Sequence, residues 1–182
     1  MRARACLLGF VLILAACGGA PVYRDTNVPI ASKADLDLDR YTGLWYEIAR
    51  FPVRFQEGCT AVTAEYAQIG DDRISVVNTC RDGAPDGPER RVEGTARVTG
   101  PGRLGVRFSG VPFIRAPYWV LWVDADYRTA VVGVPSGRAG WILNREPEIA
   151  SDRLKAALEV LDFNGYDLRE IVPTPQPPSG KP

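Results

Sequence analysis

Apolar and polar side chains alternate in short runs between residues 44 and 145, and Gly, Pro or Asp bounds each run. In the run 90–98, Val92, Ala96 and Val98 share one face of a strand, while charged residues fill much of the other. Such alternation is typical of antiparallel strands that have one buried and one solvated face. The pattern predicts eight strands, over residues 44–51, 60–67, 73–80, 90–98, 103–108, 118–124, 129–134 and 140–145.

The connections between these runs fall into two groups. Every second connection, starting with the first, is long or proline-rich, and the others are tight turns. Successive connections of an up-and-down barrel lie at opposite ends, so this pattern predicts one open, loop-rich end and one closed end. Eight such strands can close around one small ligand, although a two-sheet sandwich fits the strand count nearly as well. The long connections are 52–59, 81–89, 109–117 and 135–139, and the tight ones are 68–72, 99–102 and 125–128.

One amphipathic helix follows the last of these strands. Apolar residues recur at helical spacing between positions 150 and 161, with start signals at Pro147 and Ser151-Asp152 and a stop signal at Asn164-Gly165. Its single apolar stripe favours packing against the outside of the barrel. The predicted fold class is therefore mainly β, an eight-stranded antiparallel up-and-down barrel with one C-terminal α-helix outside. Residues 168–172 are predicted to form a last short strand.

The first residues indicate an export signal. A short basic stretch precedes an apolar run, residues 5–14, which is well below the roughly 20 residues needed to span a bilayer. Leu14-Ala-Ala-Cys17 resembles the lipobox of bacterial lipoproteins, in which the chain is cut before the cysteine and its thiol carries diacylglycerol. This resemblance implies removal of residues 1–16, and Gly18 implies delivery to the periplasmic face of the outer membrane. An ordinary secretory signal with a chance cysteine is the alternative.

The mature chain divides into a tether, one domain and a tail. The tether covers residues 17–37: the lipobox resemblance implies a lipidated Cys17, and residues 18–37 are rich in Gly, Pro, Asn and Ser, which predicts a spacer. Residues 38–172 hold the strands and the helix. Residues 173–182 contain five prolines, which predicts a disordered tail. Lipid at Cys17 would supply the contact with the membrane.

Charge and composition exclude several functions. The chain carries 22 basic and 22 acidic side chains without a basic block, so nothing indicates a nucleic-acid partner. It contains no histidine, which removes Ser-His and Cys-His nucleophile pairs and histidine-ligated metals. Asp124 and Asp126 are interpreted as a solvated turn, since no third metal ligand is evident. We therefore expect no catalytic residue, no metal site and no cofactor.

Two cysteines remain once Cys6 leaves with the signal and Cys17 is acylated. Cys59 and Cys80 form an even pair in an oxidising compartment, which predicts a disulfide. Two unbonded thiols or half of a metal site are the alternatives. Simple alternation places the two side chains on opposite faces of their strands, so the bond requires a β-bulge, or one of the facing assignments is wrong.

Three segments resemble the conserved regions of lipocalins. They are residues 43–52, with Gly43-Leu-Trp45, and residues 118–127 and 140–145, in family order and spacing. The resemblance covers residues 38–172, and within the family it extends to bacterial outer-membrane lipoproteins and to apolipoprotein D-like members. It implies that Trp45 and Arg145 stack at the closed end of the barrel. We interpret this pair as structural.

The ligand-binding prediction combines strand alternation with the family resemblance. An inward Arg145 places Leu143 and Trp141 inward as well, because side chains alternate along a strand. The resemblance assigns Tyr66, Asn78 and Trp141 to the cavity, where tyrosine and asparagine would orient an otherwise apolar ligand. Plain packing of a filled barrel is the alternative for each of these residues. The predicted set is Val62, Ala64, Tyr66, Asn78, Trp141 and Leu143.

The resemblance implies a carrier or store for an amphiphilic lipid. The expected ligand is a fatty acid or lysophospholipid, held for maintenance of the cell envelope. The alternatives are an envelope assembly protein with a filled barrel and a lipocalin-type isomerase, for which no acid–base pair is visible. The apolar segment 111–114 of a long connection can fold over the mouth, which we favour, or contact a membrane or a second copy in a homodimer.

Overall fold

The computed structural model describes residues 19–111 and 114–177 of the chain. Short 3-10 helices cover Arg54–Gln56 and Leu168–Glu170. The remaining elements, in chain order, are α1 (Leu38–Tyr41), β1 (Gly43–Arg50), β2 (Cys59–Gly70), β3 (Arg73–Asp82), β4 (Glu89–Gly100), β5 (Arg103–Phe108), β6 (Ala116–Val123), β7 (Thr129–Gly133), β8 (Gly140–Asn144), α2 (Ser151–Phe163) and β9 (Val172–Pro173).

The first eight strands form a closed antiparallel barrel. Each strand pairs with the next one along the chain, and β1 pairs with both β2 and β8 to complete the ring. The predicted eight-stranded up-and-down barrel is confirmed, and the sandwich alternative is wrong. Closure pairs both edges of the sheet, which an open sandwich would leave unpaired.

Apolar residues form one cluster inside the barrel and a second between the barrel and α2. Trp45 and Leu143 belong to the inner cluster, whereas Val131, Ile142 and Leu161 belong to the outer one. Strand β7 is buried along its whole length because it faces both clusters. This double burial explains its continuous apolar sequence. Within the described ranges, no helix is long and apolar enough to cross a membrane.

Two short elements differ from the sequence-based expectation. The predicted strand 168–172 begins as a 3-10 helix, because the Asp167 side chain accepts the backbone N–H of Arg169 and caps a turn. Only Val172–Pro173 pair with β1. Helix α1 was not predicted, since four residues are too few to show periodicity, and its capping carboxylate, Asp37, is the only local signal.

The segment that precedes the domain packs along the barrel, so the prediction of a free spacer over 17–37 is wrong for the part that the structure describes. Tyr23 and Arg24 are 7% and 6% exposed. The N–H of Tyr23 donates to the carbonyl of Gly137 over 2.7 Å. A few well-placed side chains therefore order a segment whose overall composition is typical of a linker. Cys17 and the export signal lie outside the described residues.

The proline-rich end also packs, which corrects the prediction that disorder begins at residue 173. Thr174 is 5% exposed, and its N–H donates to the carbonyl of Ile48. The carbonyl of Pro175 accepts the N–H of Ala61 over 2.7 Å. Residues 172–176 thus lie between β1 and β2 where these two strands are not paired with each other. Residues 178–182 lie outside the described part of the chain.

Candidate functional site in the barrel

The barrel encloses a cavity of about 250 Å³. Exposed residues of two long connections, Phe55 and Ser136, contribute to its wall, so the cavity opens at the predicted open end. Most of the wall is apolar. The structure places all six sequence-predicted residues in this wall, namely Val62, Ala64, Tyr66, Asn78, Trp141 and Leu143.

Trp45 and Arg145 close the opposite end, as the family resemblance implied. Trp45 is fully buried, and the guanidinium carbon of Arg145 lies 3.7 Å from the centre of its ring. Burial lowers the pKa of Arg145 from its ordinary value, but a guanidinium stays charged at neutral pH. The guanidinium also donates to the carbonyls of Arg40, Thr42, Leu44 and Tyr127. The pair lies outside the cavity wall.

Three tyrosine hydroxyls form a chain beside the cavity. The hydroxyl of Tyr118 lies 2.7 Å from that of Tyr41 and 3.0 Å from that of Tyr66. Burial raises the pKa of all three groups, that of Tyr66 to about 12, so each is a neutral phenol at physiological pH. Three O–H donors share two contacts, so one O–H is not used within the chain. Tyr66 and Tyr118 both line the cavity.

Sequence reasoning did not identify Tyr41 or Tyr118 as part of the site. Tyr118 belongs to the second lipocalin-like segment, and the alternation of β6 with buried Val120 would have placed it inward. Tyr41 reaches the interior from α1, which the sequence did not reveal. Its ring stacks on that of Tyr66 with centres 5.6 Å apart.

A buried carboxylate organises the polar side of the mouth. Glu47 lines the cavity, is 3% exposed and forms a 2.7 Å salt bridge with Arg50. Its carboxylate also accepts from the Thr174 hydroxyl over 2.6 Å and from the Gln56 amide over 2.7 Å. The Gln56 side-chain oxygen in turn accepts the indole N–H of Trp141 over 2.9 Å. This network holds Trp141 in place from the open end.

The Glu47 network was also missed at the sequence level. The inward position of Glu47 follows from its spacing of two residues from Trp45 along β1. Its partners could not be found in this way, because Gln56 comes from a connection and Thr174 from the proline-rich end.

The predicted disulfide joins Cys59 and Cys80, whose Cα atoms are 5.5 Å apart. The bulge that strand alternation required is present: the pairing of β2 with β3 shifts register between Thr60 and Thr63, and Ala61 has φ 45°. The extra residue in β2 turns the Cys59 side chain to the face opposite to the one that simple alternation predicts, which is the face of Cys80. The bond therefore fastens β2 to β3 at the open end of the barrel.

The chemistry of the site is that of a binding cavity. Glu47 is the only carboxylate among the described wall residues, and neighbouring side chains occupy both of its oxygens. Within residues 19–111 and 114–177, no cluster of three His, Cys, Asp or Glu side chains is arranged to hold a metal. Asp124 caps the turn after β6 by accepting backbone N–H groups, those of Arg128 and Thr129. The fold and the cavity together define a closed β-barrel suited to an apolar ligand.

Comparison with known proteins assigns this barrel to a family. A model of the lipocalin-like domain matches residues 36–176. The chain is 36% identical over 147 residues to the outer membrane lipoprotein Blc of Escherichia coli strain K12, covering 80% of this chain and 82% of that protein. It is 31% identical over 159 residues to apolipoprotein D of Cavia porcellus, covering 82% of this chain and 81% of that protein. The chain belongs to the lipocalin family, as its three sequence segments predicted.

The fold is also found in solved structures. Insecticyanin from the tobacco hornworm Manduca sexta superposes with a TM-score of 0.66 at 19% identity. The superposition covers 87% of this chain and 89% of insecticyanin. At this identity the similarity establishes the barrel architecture, and the ligand must be argued from the cavity itself.

Proposed function

We propose that this lipocalin is an outer-membrane lipoprotein that binds a single-chain amphiphilic lipid, a fatty acid or lysophospholipid, and carries or stores it. The observation that supports this most directly is the apolar cavity, which is closed at one end and open at the other. Anchoring through Cys17 is supported by the lipobox-like sequence and by similarity to an outer membrane lipoprotein.

The size of the cavity favours a ligand with one acyl chain. At about 250 Å³ it lies just below the roughly 300–1,000 Å³ that is usual for small-molecule sites. Among the described wall residues there is no Lys or Arg to neutralise an anionic group inside the barrel. The charged head group would therefore stay at the mouth, near Gln56 and Ser136, while the chain occupies the apolar interior.

Binding can be tested by lipid titration of the mature protein with Cys17 replaced by serine. We expect saturable quenching of tryptophan fluorescence by palmitate or a palmitoyl lysophospholipid, because Trp141 lies in the cavity wall. Trp141→Phe should remove most of this signal. Trp119→Phe serves as the matched control and should keep it, because Trp119 packs in the outer cluster.

A cavity-filling variant tests whether the lipid binds inside the barrel or on its outer surface. Ala64→Phe projects a ring into the cavity and should weaken lipid binding at least tenfold, or by about 1.4 kcal/mol. Glu65→Phe places the same ring on the exposed face of β2 and should leave affinity unchanged. If the folded protein binds neither lipid, the carrier function is wrong and an assembly role is favoured instead.

A further inference from the structure

The N-terminal segment, residues 22–37, follows the barrel from its open end to its closed end. At the open end Tyr23 donates its N–H to Gly137, in the connection between β7 and β8. At the closed end the N–H of Asp37 donates to the hydroxyl of Tyr127 over 2.8 Å. Residues 19–22, which precede Tyr23, are exposed, and Tyr23 itself lies beside the mouth.

Hydrogen bonds from Tyr23 and Arg24 hold the N-terminal segment at the mouth of the barrel. The Tyr23 hydroxyl donates to the carbonyl of Pro52 over 2.6 Å, so the backbone and side chain of this residue together join two of the open-end connections. The buried guanidinium of Arg24 donates to the carbonyls of Pro135 and Asn164, each over 2.9 Å. Gly137 has φ 68°, and a Cβ at this position would collide with the Arg24 side chain. Glycine at position 137 therefore leaves the space in which the Arg24 side chain packs.

The part of the tether between Cys17 and Tyr23 is short. Cys17 lies six residues before Tyr23, and a chain of that length extends about 20 Å at most. If Cys17 carries lipid, as the proposed function requires, the mouth is held within about 20 Å of the membrane surface.

The rim of the open end has the surface chemistry that a bilayer would accept. Phe55, Val111 and Ile114 lie on two of its connections and are 66%, 46% and 61% exposed. Apolar side chains exposed on both sides of the mouth give this end a surface suited to contact with a membrane. Exposed arginines also lie on the rim, where they can reach lipid phosphates. These arginines are Arg54, Arg115 and Arg138.

Exposed carboxylates and arginines lie at both ends of the barrel, so charge does not set the orientation. At the open end they include Glu57 and Asp86, and Glu89 and Asp82 form salt bridges with Arg81 and Arg90. The turns of the closed end carry four carboxylates, and two arginines form salt bridges with three of them. The carboxylates are those of Asp71, Asp72, Asp124 and Asp126, and the arginines are Arg97 and Arg128.

We propose that the open-end rim formed by Phe55, Val111 and Ile114 lies against the phospholipid bilayer that holds the lipidated Cys17. The mouth of the cavity then faces the membrane, and a lipid can pass between bilayer and barrel without crossing bulk water. This inference rests on the proposed function, because it takes Cys17 as the anchor.

The test uses the lipidated protein reconstituted in vesicles of phosphatidylethanolamine and phosphatidylglycerol. Single cysteines replace Ser109 near the mouth or Ala125 at the closed end, and each carries an environment-sensitive fluorophore. With Cys17 acylated and Cys59–Cys80 oxidised, the introduced thiol is the one that reacts. We expect nitroxide-labelled head groups to quench the probe at position 109 several-fold more strongly than the probe at 125. Equal or reversed quenching would overturn the proposed orientation.

A rim variant and two further measurements complete the test. Phe55→Ser combined with Ile114→Ser should reduce quenching at position 109, and no reduction would contradict contact through this rim. Mass spectrometry of the purified protein reports whether Cys17 is acylated, and lipid titration reports whether the cavity binds. An unacylated or non-binding protein refutes the proposed function, whereas an acylated, binding protein with equal quenching refutes the orientation alone.

Discussion

Replacing Arg145 by methionine should destabilise the closed end of the barrel and leave ligand binding intact. Methionine keeps an apolar side chain over the buried ring of Trp45 but removes the charge and every hydrogen-bond donor. Four backbone carbonyls then lose the guanidinium as a partner. Since Arg145 does not line the cavity, the affinity for lipid should not change.

The size of the effect follows from these contacts. Stacking of the guanidinium on an indole contributes about 1 kcal/mol. Each hydrogen bond contributes about 0.5 kcal/mol, near the low end of the usual range, because water reaches several of the carbonyls. Together these terms give a loss of about 3 kcal/mol, which for a domain of this size lowers the Tm by about 6–12 °C.

Urea unfolding followed by circular dichroism measures this loss, and lipid titration of the same samples measures the affinity. Arg97→Met is the matched control at the same end of the barrel. Arg97 forms an exposed salt bridge with Asp72, so its removal should cost about 0.5 kcal/mol. A loss below about 1 kcal/mol for Arg145→Met, or equal losses for the two variants, would refute a structural role for the Trp45–Arg145 pair.

Three further predictions concern other parts of the barrel. Replacing both Cys59 and Cys80 by serine should lower the free energy of unfolding by about 3 kcal/mol in urea titrations, and unchanged stability would contradict the role given to the bond. Thr174→Val should cost about 1–3 kcal/mol because the buried Glu47 loses a donor, whereas Thr174→Ser should restore most of the loss. Burial raises the pKa of Tyr66 from 10.0 to about 12, so its neutral form stabilises the fold below pH 10, and this contribution is lost as the pH rises towards about 12. Absorbance titration should show delayed tyrosine ionisation in the wild type, and an unchanged curve for Tyr66→Phe would contradict this assignment.

The barrel and much of the cavity wall could be predicted because the alternation of apolar and polar residues shows which side chains of a strand face the core. A strand with one face in the core and one in water must alternate, and the facing of one residue then fixes that of its neighbours. Ala64 follows from Tyr66 in this way, as Leu143 follows from Trp141. The alternating lengths of the connections likewise distinguished the open end from the closed end.

Alternation fails where a bulge inserts a residue. In β6 the pairing shifts register between Val120 and Trp122, so Trp122 packs in the outer cluster instead of following Val120 inward. In β2 the bulge at Ala61 is stabilised by a hydrogen bond from its N–H to the carbonyl of Pro175. The partner lies more than a hundred residues away, so no local window of sequence contains the cause.

The packed proline-rich end of the chain escaped prediction for a related reason, which the buried carboxylate of Glu47 makes clear. An unpaired charge at this depth would cost several kcal/mol, so the fold must bring donors to it. Arg50 comes from the same strand, but Gln56 comes from a connection and Thr174 from the proline-rich end. One buried charge therefore orders a segment whose composition alone indicates disorder. Because Gln56 also holds Trp141, the same charge couples the packing of that segment to the wall of the ligand cavity.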